Sequence, residues 1–372
     1  MDVISTRRNG KIEVLRFIFC VSVLFFHAER LVSGGVNLPG PLCFFENGAI
    51  GVEFFFIVSG FFMAKSALKA PADENLGTDT ISFMSKKVMS ILPPHIITFI
   101  IGFVMYGIFN ISASVKGVVG TFGYFVKLFV DSLPSLLFLN KNGIYSKNIL
   151  SEEWYLGVML FVLFVMFPLC KKFQKTFSKI VAPIVGLLVL GYLGYTYRNQ
   201  GITGVGVWDG FVYKCMLRGV VGILFGVTAY EISEKLKTMN FNKFDNVFLT
   251  VFELGLWSGI VLYTILDVPS KYDFLVAFLT MFAVSITLSG VTAFVNLFSN
   301  NFVFYLGKIS LPIYIIQTLF RYLIEEYFST YSATFIITFF VVGSIVGGIV
   351  LYYLSMILEK VINKKLRQLK GV

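Results

Sequence analysis

The sequence predicts an all-α integral membrane protein, a polytopic bundle of about ten transmembrane helices. Of its 372 residues, 56% are hydrophobic and only 14% are charged, whereas soluble domains carry roughly 25% charged residues. The mean hydropathy is +0.81. Apolar runs of about 20 residues, the length that crosses a hydrocarbon layer as a helix, recur along the whole chain.

Ten of these runs are long enough to span a membrane, and we predict one helix in each. They lie at 12–32, 48–68, 88–109, 151–170, 178–197, 213–231, 246–266, 272–294, 302–325 and 332–358. The segment 110–150 carries lysines among aromatic residues, which favours an interfacial or re-entrant segment, with an eleventh, partial span as the alternative. Residues 1–372 are therefore expected to form a single transmembrane domain.

The distribution of basic residues predicts the orientation of the bundle. An even number of spans places both termini on one side. At the span ends and in the connecting segments, 19 Lys and Arg residues fall on the side of the termini and 8 on the opposite side. Because basic residues accumulate on the cytoplasmic side, both termini are expected in the cytoplasm.

Composition and motifs exclude several classes of function. The formal net charge is +10, but the basic residues form short clusters between spans, so nucleic-acid binding is not expected. Two histidines and four scattered cysteines do not suit a metal site. The sequence has no P-loop, HExxH, GxSxG or dinucleotide-binding motif.

Ionisable residues inside the predicted spans are the first functional candidates, since each costs at least about 2.5–3.5 kcal/mol to insert. Arg16 and His27 are eleven residues apart in the first span. That spacing places them on one helix face, roughly 16 Å apart along the axis. The alternative is interfacial, with Arg16 extending to the headgroups and His27 at the outer boundary.

The second span contains Glu53, which needs a buried partner such as His27, Arg30 or Arg218. Arg218 lies more than one turn inside the sixth span. Ser59 and the glycines near it suit close helix packing.

Three further groups of candidates lie at the starts of spans or inside them. Basic residues and prolines mark the start of the third span: Lys86, Lys87, Pro93, Pro94 and His95. Acidic and aromatic residues open the fourth: Glu152, Glu153, Trp154 and Tyr155. Gln317 lies between Lys308 and Arg321 in the ninth. A topological role for the lysines and a structural role for the group at 152–155 are the alternatives.

Several passages of the chain match one known pattern. EVLRFIFCVSVLFFHA has an arginine, ten residues and a histidine, and GVEFFFIVSGFF follows in the second span. KKVMSILP, EEWYLGVMLFVLFVMFP and LGKISLPIYIIQ extend the match over nearly the full length. Together they resemble the acyltransferase 3 family of ten-helix membrane acyltransferases, which modify bacterial surface polysaccharides, lipopolysaccharide or peptidoglycan.

The chain departs from this family pattern at three positions. Ser90 stands where a further arginine is usual, so the preceding lysines would take its role. Gln317 stands where members often carry histidine, and Met159 where some carry glutamate. The acidic function would then shift to Glu152 or Glu153.

The resemblance implies a membrane-bound O-acetyltransferase of the bacterial plasma membrane. It would move an acetyl group from cytoplasmic acetyl-CoA to a hydroxyl of a cell-surface carbohydrate, with His27 as general base and Glu152 or Glu153 beside it. Glu53 or Glu152 would fix the histidine tautomer. The expected acyl-donor-binding residues are Arg16, Lys86, Lys87 and His95. The expected substrate-binding or supporting residues are Glu53, Ser59, Trp154, Tyr155, Arg218, Lys308 and Gln317.

Acetyl-CoA or another acyl-CoA is thus expected as a donor substrate, with no permanently bound cofactor and no metal. The other expected partners are membrane lipid and the carbohydrate acceptor, and the oligomeric state, including a homo-oligomer, stays open. The main alternative is a transporter or flippase for a lipid-linked sugar or small organic anion, because intramembrane charges also mark transport pathways. A membrane sensor that binds a ligand without chemistry is a third hypothesis.

Overall fold

The computed structural model describes residues 9–32, 34–36, 42–69, 75–111, 117–141, 147–294 and 297–369. Within them the chain folds into eleven α-helices and one small β-hairpin, so the predicted all-α fold is confirmed. Four basic residues that entered the orientation count, Arg7, Arg8, Lys116 and Lys370, lie outside the described residues, and the orientation stays a prediction.

The helices follow one another along the chain with short connections. They are α1 Gly10–Glu29, α2 Gly51–Ala67, α3 Leu76–Phe109, α4 Gly117–Leu136, α5 Trp154–Thr176, α6 Ala182–Thr196, α7 Lys214–Thr238, α8 Lys243–Tyr263, α9 Asp273–Ser289, α10 Asn301–Leu323 and α11 Ala333–Leu369. Strands β1 Trp208–Asp209 and β2 Val212–Tyr213 pair antiparallel between α6 and α7. Short 3-10 turns precede α2, α5 and α9, and π-helical turns follow α5 and α10.

Eight helical runs among the described residues are long and apolar enough to cross a membrane. One of them, Ser151–Thr196, contains both α5 and α6, because Gln174 interrupts the helix with torsions of φ 44° and ψ −122°. α1 falls outside this apolar set because of its charged residues, but its 20 residues extend about 30 Å. Counting α1, α5 and α6 separately gives the ten predicted spans.

The predicted start of the third span is wrong by twelve residues. α3 begins at Leu76 rather than at residue 88 and continues through Pro93 and Pro94 to Phe109. Hydropathy reports where a segment enters lipid, whereas the helix begins earlier, in a polar stretch. Since proline has no amide hydrogen, the two prolines leave the carbonyls of Met89 and Ser90 without their helical donors.

The segment 110–150 contains α4, a helix of 20 residues that packs against α3. Leu128, Ser132 and Ser135 are its buried residues, whereas apolar side chains such as Val118 and Phe122 are exposed. The segment is therefore largely helical, and α4 is not among the eight apolar runs. Whether it is interfacial, re-entrant or a partial span stays a prediction.

α2 and α7 form the most extensive helix contact of the bundle. Their backbones touch: a Cβ atom added at Gly226 would lie 2.1 Å from the carbonyl oxygen of Ile57, and one at Gly60 2.2 Å from that of Ile223. Small residues allow such approach between membrane helices. This contact fixes the axial position of α2 relative to α7. It therefore also fixes the relative position of the charged residues on the two helices.

Replacing Gly226 by alanine is expected to force α2 and α7 apart and to lower the free energy of unfolding by about 1–3 kcal/mol. Thermal unfolding of the purified protein in detergent measures the effect. Gly255→Ala on α8 is the matched control, because a Cβ there meets nothing within 4 Å. A Gly226→Ala protein that unfolds at the wild-type temperature would contradict the close packing of the two helices.

Candidate active site

Polar residues gather at two levels of the bundle. α1 and α10 run in the same direction, since Arg16 and Lys308 line one cavity while His27 and Gln317, farther along the same helices, contact each other. We call the side where α1 begins the terminal side, and the side where it ends the far side. The cavity lies toward the terminal side and His27 toward the far side.

His27 is held by the amide of Gln317. The Gln317 Nε2 donates to the carbonyl oxygen of Tyr314 at 2.8 Å, so its Oε1 faces the imidazole, 3.0 Å from the His27 Nδ1. An amide oxygen only accepts hydrogen bonds, and Nδ1 must therefore carry the hydrogen. This tautomer leaves a lone pair on Nε2, where a base needs it.

Besides Arg30, two charged groups lie near His27, namely Glu152 and Arg321. Both act on the imidazole electrostatically, and the Arg321 Nη1 lies 3.3 Å from the Glu152 Oε1. The Thr318 hydroxyl donates to the other Glu152 oxygen, and Arg321 also donates to the Ser151 hydroxyl at 2.6 Å. We call His27, Glu152, Gln317, Thr318 and Arg321 the far-side cluster.

Two members of this cluster were not among the candidate site residues. Arg321 follows Gln317 by four residues and therefore lies on the same face of α10, a signal that the sequence contains. Thr318 has no such signal, because a threonine in an apolar helix is ordinarily satisfied by the backbone of its own helix.

The cavity has a volume of about 610 Å³ and combines basic, hydroxyl and apolar side chains with one acidic residue, Glu359. Arg16, Lys87 and Lys308 supply three positive charges along its wall. Ser59 and Tyr155, from α2 and α5, also line it. The structure thus brings five of the candidate residues to one space, whereas Lys86 is exposed on α3 and does not line it.

Met159 occupies the wall of this cavity where some family members place a glutamate. Its sulfur accepts hydrogen bonds from the Ser59 hydroxyl at 3.2 Å and from the Tyr155 hydroxyl at 3.3 Å. The surroundings of Ser59 are therefore uncharged on the α5 side, and no acidic side chain of α5 meets the cavity there.

Glu53 pairs with Arg218, one of its three predicted partners. The Arg218 Nε donates to Oε1 at 2.8 Å and its Nη2 to Oε2 at 2.9 Å, and both residues are buried. The Trp154 ring lies over the guanidinium at 5.0 Å. The expectation that Glu53 orients His27 is wrong, because both its oxygens are bound to Arg218. These three residues form a brace between α2, α5 and α7.

Glu152 and Glu153 point in different directions, although they are consecutive. Glu153 accepts hydrogen bonds from the Ser135 hydroxyl and from the Asn140 amide at 3.4 Å. Its second oxygen lies 3.6 Å from the His95 Nδ1, in a fully buried position. His95 thus lies beside Glu153 and α4 and does not line the cavity, and only Glu152 belongs to the far-side cluster.

Comparison with known proteins identifies the domain. Residues 9–354 match a family model described as an acyltransferase domain, which is nearly the whole chain. Searches of curated proteins and of solved structures found no match.

The Glu53–Arg218 pair generates a stability prediction. Glu53→Gln leaves a buried guanidinium without a counter-charge, so the free energy of unfolding is expected to fall by about 3–5 kcal/mol. Thermal unfolding in detergent measures the loss. Glu234→Gln is the matched control, since Glu234 pairs with Lys237 on the surface and exposed pairs contribute little. Equal stability of the Glu53→Gln and wild-type proteins would show that the pair is not a brace.

Proposed function

Because the chain belongs to the acyltransferase 3 family and is a membrane acyltransferase, we propose that it transfers an acetyl group to a cell-surface carbohydrate. The donor is acetyl-CoA from the cytoplasm, and the product is an O-acetyl ester on the outer side of a bacterial plasma membrane. The observation that carries the proposal is the His27–Gln317 hydrogen bond, which leaves the His27 Nε2 as a base.

The donor binds from the terminal side, which we place in the cytoplasm because the basic residues favour that orientation. Arg16, Lys87 and Lys308 line the cavity there. Coenzyme A carries a diphosphate and a further phosphate, and Arg and Lys side chains are the usual partners of such groups. The acyl end of the donor then points along the cavity toward Ser59 and Tyr155.

The acceptor hydroxyl reaches His27 from the far side. The His27 Nε2 takes the hydroxyl proton while the oxygen attacks the thioester carbon, so a carbon–oxygen bond forms and the carbon–sulfur bond then breaks. The coenzyme A thiolate leaves and receives the proton back from the imidazolium. The products are the acetyl ester and free coenzyme A, and no redox step is involved.

Glu152 and Arg321 support this proton transfer. The imidazole becomes positive when it takes the proton, and the neighbouring Glu152 carboxylate stabilises that charge. Arg321, 3.3 Å from Glu152, supplies the counter-charge that a buried carboxylate needs. Gln317 holds the ring orientation throughout, in the manner of the outer partners of catalytic histidines.

Replacing His27 by alanine is expected to abolish acetyl transfer while expression and thermal unfolding stay at wild-type values. Gln317→Leu keeps the base but frees its tautomer, and transfer is expected to fall about 10–100-fold. The measurement is mass spectrometry of surface glycans, with labelled acetyl-CoA and purified protein as the second assay. A transporter, the alternative from the sequence, would not consume the donor. Full transfer by the His27→Ala protein would refute the assignment.

Two adjacent lysines test the donor site. Lys87→Ala removes a positive charge from the cavity wall and is expected to raise the KM for acetyl-CoA about tenfold, the equivalent of one charge-assisted hydrogen bond. Lys86→Ala is the matched control, with the same change of charge one residue away on the exposed face of α3, and its KM is expected to stay near wild type. Equal increases in both variants would place the donor outside the cavity.

A further inference from the structure

Tyr314 on α10 contacts both the cavity and the far-side cluster. Its side chain lines the cavity, and its hydroxyl donates to the carbonyl oxygen of Glu152 at 2.8 Å. Its own carbonyl accepts the Gln317 hydrogen bond that orients His27. Tyr314 thus lines the cavity and also hydrogen-bonds to two members of the far-side cluster, one through its side-chain hydroxyl and one through its main-chain carbonyl.

Tyr314 belongs to a pair of contacting aromatic rings in the cavity wall. Tyr314 and Tyr155 meet edge to face with centroids 5.9 Å apart, and only 5% and 7% of these residues is exposed. His27, Glu152 and Gln317 do not line the cavity. A thioester in the cavity is thus not in contact with the His27 imidazole, and Tyr314 is a wall residue that contacts both the cavity and the far-side cluster.

Acyl transfer cannot occur while the cavity and His27 are separated in this way. The attacking oxygen and the thioester carbon must approach to about 3–3.5 Å, and His27 must reach the same hydroxyl. Part of the wall therefore has to move before the two substrates can react, and the Tyr314 ring belongs to the residue that contacts both sides. Its anchor is a single neutral hydrogen bond to a backbone carbonyl, which a side-chain rotation breaks without moving a helix.

α10 is also weakened beside Tyr314. Pro312 lies inside this helix, two residues earlier, and cannot donate to the carbonyl of Lys308. A missing hydrogen bond in the helix ladder permits local bending. The position of Pro312, itself in the cavity wall, thus allows the turn that bears Tyr314 to adjust.

We propose that the Tyr314 side chain is the barrier between the donor cavity and the acceptor site, and that its displacement brings thioester, hydroxyl and His27 together. This inference rests on the proposed function. In the closed position the ring keeps water of the far side away from the thioester, which limits wasteful hydrolysis of the donor. Tyr314 is thus a positioning residue, distinct from the base.

Site-directed labelling tests the barrier without any catalysis. Ser59→Cys puts a thiol in the cavity, and a membrane-impermeant maleimide is added to the far side of sealed, oriented vesicles. The four native cysteines are buried, and burial raises the pKa of the Cys43 thiol, which lies between the first two spans. Background labelling is therefore expected to be low.

The single Ser59→Cys protein is expected to react from the terminal side only. Adding Tyr314→Ala is expected to open the cavity to the far side. The rate of labelling from that side should then rise at least about tenfold, which corresponds to a barrier lower by about 1.4 kcal/mol. Tyr314→Phe keeps the ring but loses its anchor, and its rate is expected to lie between the two. Tyr322→Ala is the matched control, since Tyr322 is a buried tyrosine of the same helix that donates to the carbonyl of Ile149, and labelling should stay unchanged.

A second readout is the hydrolysis of acetyl-CoA without acceptor, which Tyr314→Ala is expected to increase. Three proteins are compared: Ser59→Cys alone, Ser59→Cys with Tyr314→Phe, and Ser59→Cys with Tyr314→Ala. Equal rates of far-side labelling in all three would overturn the barrier, even if the wild-type protein transfers acetyl groups. Increased labelling with no consumption of acetyl-CoA by the wild-type protein would instead keep the barrier and refute the proposed donor. Failure of the barrier proposal and failure of the proposed function are thus distinguishable. If the Tyr314→Ala protein does not fold, the Tyr314→Phe protein still provides the test.

Discussion

A charged side chain in the apolar interior is stable only when a counter-charge or hydrogen bonds replace the water that it has lost. This constraint determines where the polar residues of the bundle can lie. Glu53 and Arg218 satisfy each other on α2 and α7 through two hydrogen bonds of 2.8 and 2.9 Å, so they hold helices together. Lys87 and Lys308 border open space instead, as does Arg16, which also pairs with Glu13 at 3.0 Å, so these charges can contact a ligand in the cavity.

Hydrophobic pattern was sufficient to predict the fold class and the order of spans, because lipid selects apolar runs of fixed length. It was insufficient for the start of α3, since polar residues extend a helix beyond the membrane. The hydrophobic pattern also could not predict which polar side chains pair with each other. Successive residues of a 3-10 turn point about 120° apart, and so Glu152 reaches Arg321 whereas Glu153 faces His95. The sequence contains both carboxylates but no signal that separates them.

Gln317 makes the far-side cluster chemically simple. An amide neither gains nor loses a proton near neutral pH, so the hydrogen-bond direction at the His27 Nδ1 stays constant. A histidine at this position would add a second titratable ring with two tautomers of its own. In the proposed reaction the proton transfer of the pair is therefore confined to one atom, the His27 Nε2. Tyr314, whose carbonyl fixes the amide, links that atom to the cavity wall.

The length of α3 has a consequence for the proposed reaction, in which a soluble, highly charged donor has to reach a site inside the membrane. Its 34 residues extend about 51 Å, some 20 Å more than the hydrocarbon layer is thick. The surplus lies at its N-terminal end, where Asp79 is tied to Lys171 of α5 by an ion pair of 2.7 Å. Under the proposed function, a donor nucleotide at that level would stay hydrated, and only the pantetheine arm would have to leave the aqueous phase.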